Sequence, residues 1–165
     1  MNGQNTPDAF QARLRSFRSD ERPLDDQERQ WCSDVIDRIC RNGQPAFYHG
    51  GIDGLSIGDL LLPPDETGND PRQWHDKCPG AKRFVYFTDC PERADFYART
   101  IRLARLWTDG PPKTGIVYRV SPIGHFEIER AEIRAHRSFG HTPEMAAEIG
   151  KLAFICKGAE IIGFA

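Results

Sequence analysis

Charge of one sign is scarce in this chain: 22 Lys and Arg against 24 Asp and Glu leave a formal net charge of −2 over 165 residues. Such a small imbalance gives no global field that would favour nucleic acid or an anionic membrane, although a local basic patch is compatible with it. No apolar run approaches the roughly 20 residues that span a bilayer, so no membrane partner is expected. A secretory opening, charged and then apolar, is also missing. The cysteines, Cys32, Cys40, Cys78, Cys90 and Cys156, are odd in number and scattered. That pattern fits free thiols in a reducing cytoplasm better than a disulfide framework. Neither an internal repeat nor a low-complexity tract is present.

What remains is ordinary globular composition, 39% hydrophobic and 28% charged. The length suits one domain with a real core and an appended N-terminal element. Thr6-Pro7 reads as a cap followed by proline at the first helical position, and Phe10, Leu14 and Phe17 recur at helical spacing. Arg13, Arg15 and Arg18 share that helix, but Asp8, Asp20 and Glu21 count against a transit peptide, leaving a docking helix. A second helix is expected after Pro23, capped by Asp25 or Asp26, with Trp31, Val35, Ile36 and Ile39 in one stripe and Asn42-Gly43 ending it. Residues 1–45 thus form a helical extension, and residues 46–165 a separate domain of short strands and few helices. Within it, strands are expected at 46–49, 83–88, 116–121, 152–156 and 160–164, and a long polar loop at 63–82. Helices are expected to begin at Pro91, capped by Thr88 or Asp89, and at Pro143, capped by Thr142, with Gly110-Pro111-Pro112 breaking the first of them. The class is therefore α+β.

Three segments carry candidate chemistry. In Phe47-Tyr48-His49-Gly50-Gly51, a histidine at a strand end can bring a ring donor to a ligand while the glycines leave room for it. Taken alone, it is more often a turn histidine. In Phe84-Val85-Tyr86-Phe87-Thr88, strand alternation puts Phe84, Tyr86 and Thr88 on one face. An aromatic on such a strand can stack on a planar cofactor ring, though core packing is commoner. In Phe126-Glu127-Ile128-Glu129, an extended backbone would project both glutamates from one face. Paired carboxylates can bond sugar hydroxyls and stabilise an oxocarbenium ion, although a solvated strand face is the commoner use.

The order of these segments resembles the histidine–tyrosine–acid branch of the ADP-ribosyltransferase superfamily, and more closely the rifamycin ADP-ribosyltransferases. Tyr48-His49-Gly50 and then Leu55-Ser56-Ile57-Gly58-Asp59-Leu60-Leu61-Leu62-Pro63 are similar to that family's opening. Val85-Tyr86-Phe87-Thr88 matches its aromatic strand, and Gly115 through Phe126-Glu127 its Gly-x-(Ile/Val)-Tyr-x-Val-x-Pro-x-Gly-x-(Phe/Ile)-Glu segment. The resemblance implies a split pair of small sheets around an NAD⁺ cleft, with NAD⁺ as co-substrate and no metal. It implies that His49 holds the adenosine-side ribose and Tyr86 stacks on nicotinamide, with Tyr48, Gly50 and Thr88 lining the cofactor site. Glu129 would be the catalytic acid and Glu127 its companion.

Where the family usually has Glu-Asp-Asp-Pro-Asn, this chain has Glu127-Ile128-Glu129-Arg130-Ala131, and downstream it carries His136-Arg137-Ser138-Phe139-Gly140-His141. The acceptor is therefore left open among a rifamycin hydroxyl, a protein or nucleic acid (as for a delivered effector acting in a target cell's cytoplasm), and water. A non-catalytic NAD-binding module is the remaining reading. Two weaker groupings are a zinc site at His75, Cys78 and Cys90, with only three irregularly spaced ligands, and a nucleic-acid patch at Arg102, Arg105 and Trp107. Free thiols and a solvated helix face account for both more simply.

Overall fold

Thr6 begins the first helix as its sequence predicts. The computed structural model describes residues 6–68, 82–105 and 115–165, and the side chains of all of these but 100–105. In it, α1 spans Pro7–Phe17, and the Thr6 hydroxyl accepts the Ala9 N–H. The second helix, α2, spans Asp26–Ile39 and opens with a capping box: the Asp25 carboxylate accepts the Glu28 N–H while the Glu28 carboxylate accepts the Asp25 N–H. Its buried face is Glu28, Trp31, Cys32 and Val35.

The chain divides into two compact units, Met1–Pro45 with Glu127–Leu152, and Ala46–Phe126 with Ala153–Ala165. Residues 127–152, grouped by the sequence with the strand region, thus cluster with the N-terminal helices. This first unit also holds two further helices, Arg130–Ser138 and Pro143–Ile149, the second capped by Thr142 as expected. Leu14 packs with Ala131 and Ala135, and Phe10 and Phe17 cover them. Thus α1 docks on the 130–138 helix through its apolar stripe.

The 130–138 helix is an element the sequence did not disclose. Every residue from Ala131 to His136 is buried, although the segment reads Arg-Ala-Glu-Ile-Arg-Ala-His-Arg-Ser and has no clear apolar stripe. Arg134 is admitted to the core because its donors are met. Its Nε donates to Glu28 Oε1 at 3.1 Å, and its terminal nitrogens donate to the carbonyls of Asp20 and Arg22, each at 2.7 Å. Burial alone would raise the Glu28 pKa, but the Asp25 N–H and the Arg134 guanidinium outweigh it and hold that carboxyl below its ordinary value. Nearby, the His136 and His141 rings meet Nδ1 to Nδ1 at 2.9 Å, and the Trp31 indole donates to the His141 carbonyl.

The second unit is built on strands. They are β1 (Phe47–Ile52), β2 (Leu60–Leu61), β3 (Val85–Thr88), β4 (Gly115–Pro122), β5 (Phe126–Ile128, whose first residue belongs here), β6 (Ala153–Cys156) and β7 (Ala159–Phe164). Two helices interrupt them, α3 (Pro64–Thr67) and α4 (Pro91–Arg105), so in chain order the helices at 130–138 and 143–149 are α5 and α6. The class is α+β as expected. The strands follow one seven-stranded order, β2-β7-β4-β1-β3-β6-β5. The β1–β4 ladder runs through six antiparallel pairs from Phe47↔Val120 to Ile52↔Gly115, whereas β1 and β3 share only Tyr48↔Thr88. Rings of Phe47, Phe87, Phe126 and Phe154 form the core beneath them, with Phe47 and Phe87 centroids 4.9 Å apart. Within the polar loop expected at 63–82, Pro64–Thr67 forms α3, and β2 lies just ahead of the loop, while 69–81 and the Gly110-Pro111-Pro112 break lie outside the described residues.

The strand expected to end at residue 49 continues to Ile52, so His49 is an internal strand residue and the two glycines are not a turn. Gly50 and Gly115 lie where α4 crosses the sheet. A Cβ on Gly50 would stand 2.0 Å from the Ala94 carbonyl oxygen, and one on Gly115 would stand 2.2 Å from that of Ala98. Only glycine opposite a helix face of alanines permits so close an approach. Gly50→Ala is therefore expected to lower unfolding free energy by about 1–3 kcal/mol or more, since backbone must move. Gly158→Ala, whose new carbon meets nothing nearer than Leu61 O at 3.7 Å, should stay within about 0.5 kcal/mol. Urea denaturation midpoints of the two variants check the contrast.

Candidate functional site

His49 is positioned by β1 and fixed by β3. Its Nδ1 lies 2.6 Å from the Tyr86 carbonyl oxygen. A carbonyl can only accept, so Nδ1 carries the proton. Burial pushes the imidazole pKa below its usual value, and the Tyr86 bond only partly opposes this. The neutral ring therefore keeps a lone pair on Nε2, which makes His49 a hydrogen-bond acceptor for a hydroxyl. Gly51 makes room for that ring: a Cβ there would lie 3.2 Å from both Nε2 and Cδ2 of His49 and 3.5 Å from the Tyr118 ring. The paired glycines thus serve opposite sides of one strand, Gly50 yielding to α4 and Gly51 to two rings.

The neighbouring site residues fall on the same pair of strands. Tyr48 is half-buried, with Thr88 and Arg119 as its cross-strand partners. Tyr86 is half-buried on β3 between the buried Val85 and Phe87. Thr88 is buried, and its hydroxyl accepts the Cys90 N–H at 3.1 Å. Thr88 thus bonds one residue ahead of Pro91, while the Cys90 carbonyl takes the Ala94 N–H that starts α4. The structure brings His49 and Tyr86 together through ring and carbonyl.

The Leu55–Pro63 stretch acquires a structural account. Asp59 Oδ2 accepts the Ser56 N–H at 2.8 Å, and Gly58 takes a φ of 92° that side chains rarely adopt. The Gly58 N–H reaches the Ile161 carbonyl and the Ile161 N–H reaches that of Asp59, stapling the loop to β7. At its other end the Tyr118 hydroxyl donates to the Ile52 carbonyl at 2.6 Å and accepts the Leu55 N–H at 3.4 Å. Tyr118 is 0% exposed. The sequence offered no sign of this brace beyond the residue's place in β4.

Glu127 and Glu129 belong to the first unit. Glu127 is half-buried in β5, and Glu129 occupies the N-cap position of α5 with φ −53° and ψ 132°. The Glu129 carbonyl accepts the Glu132 and Ile133 N–H groups, while its side chain makes no capping bond. Between the glutamates, the Ile128 N–H donates to Cys32 Sγ at 3.4 Å. Burial pushes the Cys32 thiol up to about 11, with the Glu127 charge adding to the rise, so it stays protonated at neutral pH.

Of the zinc grouping, His75 and Cys78 lie outside the described residues, and the Cys90 thiol donates to Glu92 Oε2 at 3.2 Å. Among the described residues no group of three or more His, Cys, Asp or Glu side chains is placed to hold a metal. Trp107 and the side chains of Arg102 and Arg105 lie outside the described residues too. Among the described residues no helix is long and apolar enough to cross a membrane. No protein-family model and no curated protein matches this chain.

The His49 geometry makes a pH prediction. Its folded pKa lies below that of the unfolded chain, so the unfolded state binds more protons in acid. The resulting stability is full above about pH 6.5 and is lost as pH falls through the folded value. Nitrogen-15 NMR should show His49 protonated at Nδ1 at pH 7 and titrating below 6.5. A ring protonated at Nε2 would overturn the assignment.

Proposed function

We propose that this chain is an NAD⁺-consuming mono-ADP-ribosyltransferase, as its resemblance to the rifamycin-modifying family implies. The observation that carries the reading is His49, a neutral imidazole committed at Nδ1 to the Tyr86 carbonyl and left with an acceptor at Nε2. An acceptor of that kind suits a ribose hydroxyl. The narrow β1–β3 join, a single Cα pair wide, is where a split of the sheet around a dinucleotide would fall. In this reading Nε2 of His49 holds the adenosine-side ribose and Tyr86 stacks on nicotinamide, with Tyr48 on the opposite face of β1 from His49 and Gly50 and Thr88 setting the strands that carry them.

The reaction breaks the bond between nicotinamide nitrogen and ribose C1′. The electron pair leaves with nicotinamide, which departs neutral, and positive charge develops at C1′. Glu129, ionised and bonded to the ribose 2′-hydroxyl, stabilises that charge. An acceptor oxygen then attacks C1′, and its proton passes to Glu127 or to water. The named acceptor is a rifamycin-type hydroxyl; a macromolecular group is the alternative.

Glu129→Gln should keep the fold and NAD⁺ binding while slowing nicotinamide release roughly a hundredfold or more. Near-normal turnover would move the role to Glu127. Tyr86→Ala should weaken NAD⁺ binding by about 0.5–1.5 kcal/mol beyond its lost area, and Tyr86→Phe should be mild because stacking needs only the ring. Calorimetry in which phenylalanine is as damaging as alanine would sink the stacking role. Mass spectrometry of rifampicin incubated with protein and NAD⁺ tests the acceptor. NAD⁺ consumption without an adduct would exclude the drug, and label from NAD⁺ appearing on lysate macromolecules would identify the other class.

A further inference from the structure

The sequence reads residues 1–45 as an appended extension, yet within the first unit they back the segment that carries both glutamates. Ile128, between Glu127 and Glu129, is fully buried, and its N–H donates to Cys32 Sγ of α2. Cys32 is 4% exposed and lies on the buried face of α2 with Trp31 and Val35. Farther along the same segment, Arg134 holds α5 to Glu28 and to the carbonyls of Asp20, Arg22 and Pro23. Glu28 in turn closes the capping box that starts α2. One tie therefore grips the backbone between the carboxylates, and the other grips the helix into which they lead.

We propose that Cys32 and Arg134 are positioning residues for the carboxylates of Glu127 and Glu129, so that α2 and the segment before it belong to the catalytic machinery. The proposal rests on the ADP-ribosyl transfer reading. Neither residue touches NAD⁺ or the acceptor; both act through the 127–134 backbone. A carboxylate displaced by about 1 Å from a developing charge loses up to about a hundredfold in rate, and loosening one tie displaces it by less. In the proposed reading NAD⁺ affinity rests chiefly on His49 and Tyr86, which belong to the other unit, so affinity is read separately from this effect.

Nicotinamide release is measured against pH for the full chain, Cys32→Ala, Cys32→Ser and Arg134→Lys, with NAD⁺ affinity by calorimetry and Glu129→Gln as the inactive reference. Cys32→Ala and Arg134→Lys should lower kcat by about threefold to tenfold, a fraction of that full loss. NAD⁺ affinity should stay within about twofold of wild type, and the acid limb of the kcat profile, which reports ionisation of the carboxylate, should move. Cys32→Ser should restore both. A smaller folded fraction would scale the profile and leave its limb in place, and that result overturns the positioning role. Wild-type kcat and limb in the variants, with Glu129→Gln inactive, overturns it while leaving the ADP-ribosyl transfer reading intact. A wild-type chain that releases no nicotinamide overturns both. Should Arg134→Lys fail to fold, the two Cys32 variants decide.

Discussion

Arg134 sits in the interior of the first unit with its side chain 2% exposed, and a guanidinium in that position must find acceptors for its donors or leave the core. The acceptors are not on its own helix. They are the Glu28 carboxylate and the carbonyls of Asp20 and Arg22. Satisfying this one group therefore dictates the path between α1 and α2 and seats the start of α2 against α5. The apolar contacts of Phe10, Leu14 and Phe17 with Ala131 and Ala135 supply area without such direction. Loss of Arg134 would leave Glu28 paired with Arg22, whose Nη2 donates to the same Oε1 at 3.1 Å, whereas loss of Glu28 would leave a buried guanidinium whose next carboxylate, that of Asp20, is 3.5 Å away.

A steric constraint plays the corresponding part in the second unit. Helix α4 lies so close on β1 and β4 that Cβ atoms at Gly50 and Gly115 would enter its backbone. That approach keeps β1 extended beyond the point where two consecutive glycines would ordinarily bend it. On the strand's other side Gly51 admits the His49 and Tyr118 rings. His49 can then turn its Nδ1 to the Tyr86 carbonyl, where the β1–β3 ladder has only one pair. Helix packing, ring orientation and the narrow strand join are parts of one local arrangement, and the acceptor character of Nε2 follows from it.

The two glutamates stand in a different setting. Glu129 is at a strand-to-helix junction instead of in a strand, and a buried thiol holds the residue before it. In the reading proposed above, a carboxylate that stabilises a developing charge benefits more from a fixed backbone than from a flexible loop.

By itself the sequence determined whatever depends on neighbours along the chain. Thr6, Asp25 and Thr142 cap the helices they were expected to cap, because capping bonds reach only two or three residues. The strands at 85–88, 153–156 and 159–164 and the α+β class follow from local propensity and patterning. Tyr48, His49, Tyr86 and Thr88 were legible as candidates by residue type and order. Tertiary structure alone decided what distant partners make possible. Helix α5 was not legible, because its charged residues are buried only once Asp20, Arg22 and Glu28 supply acceptors. The strand through Gly50 and Gly51 was not legible either, since it is held straight by a helix some forty residues later in the chain. Nor could the chain disclose the tautomer of His49, the brace from Tyr118 or the tie from Cys32. Each depends on a carbonyl, a loop or an N–H that only folding brings within hydrogen-bond reach.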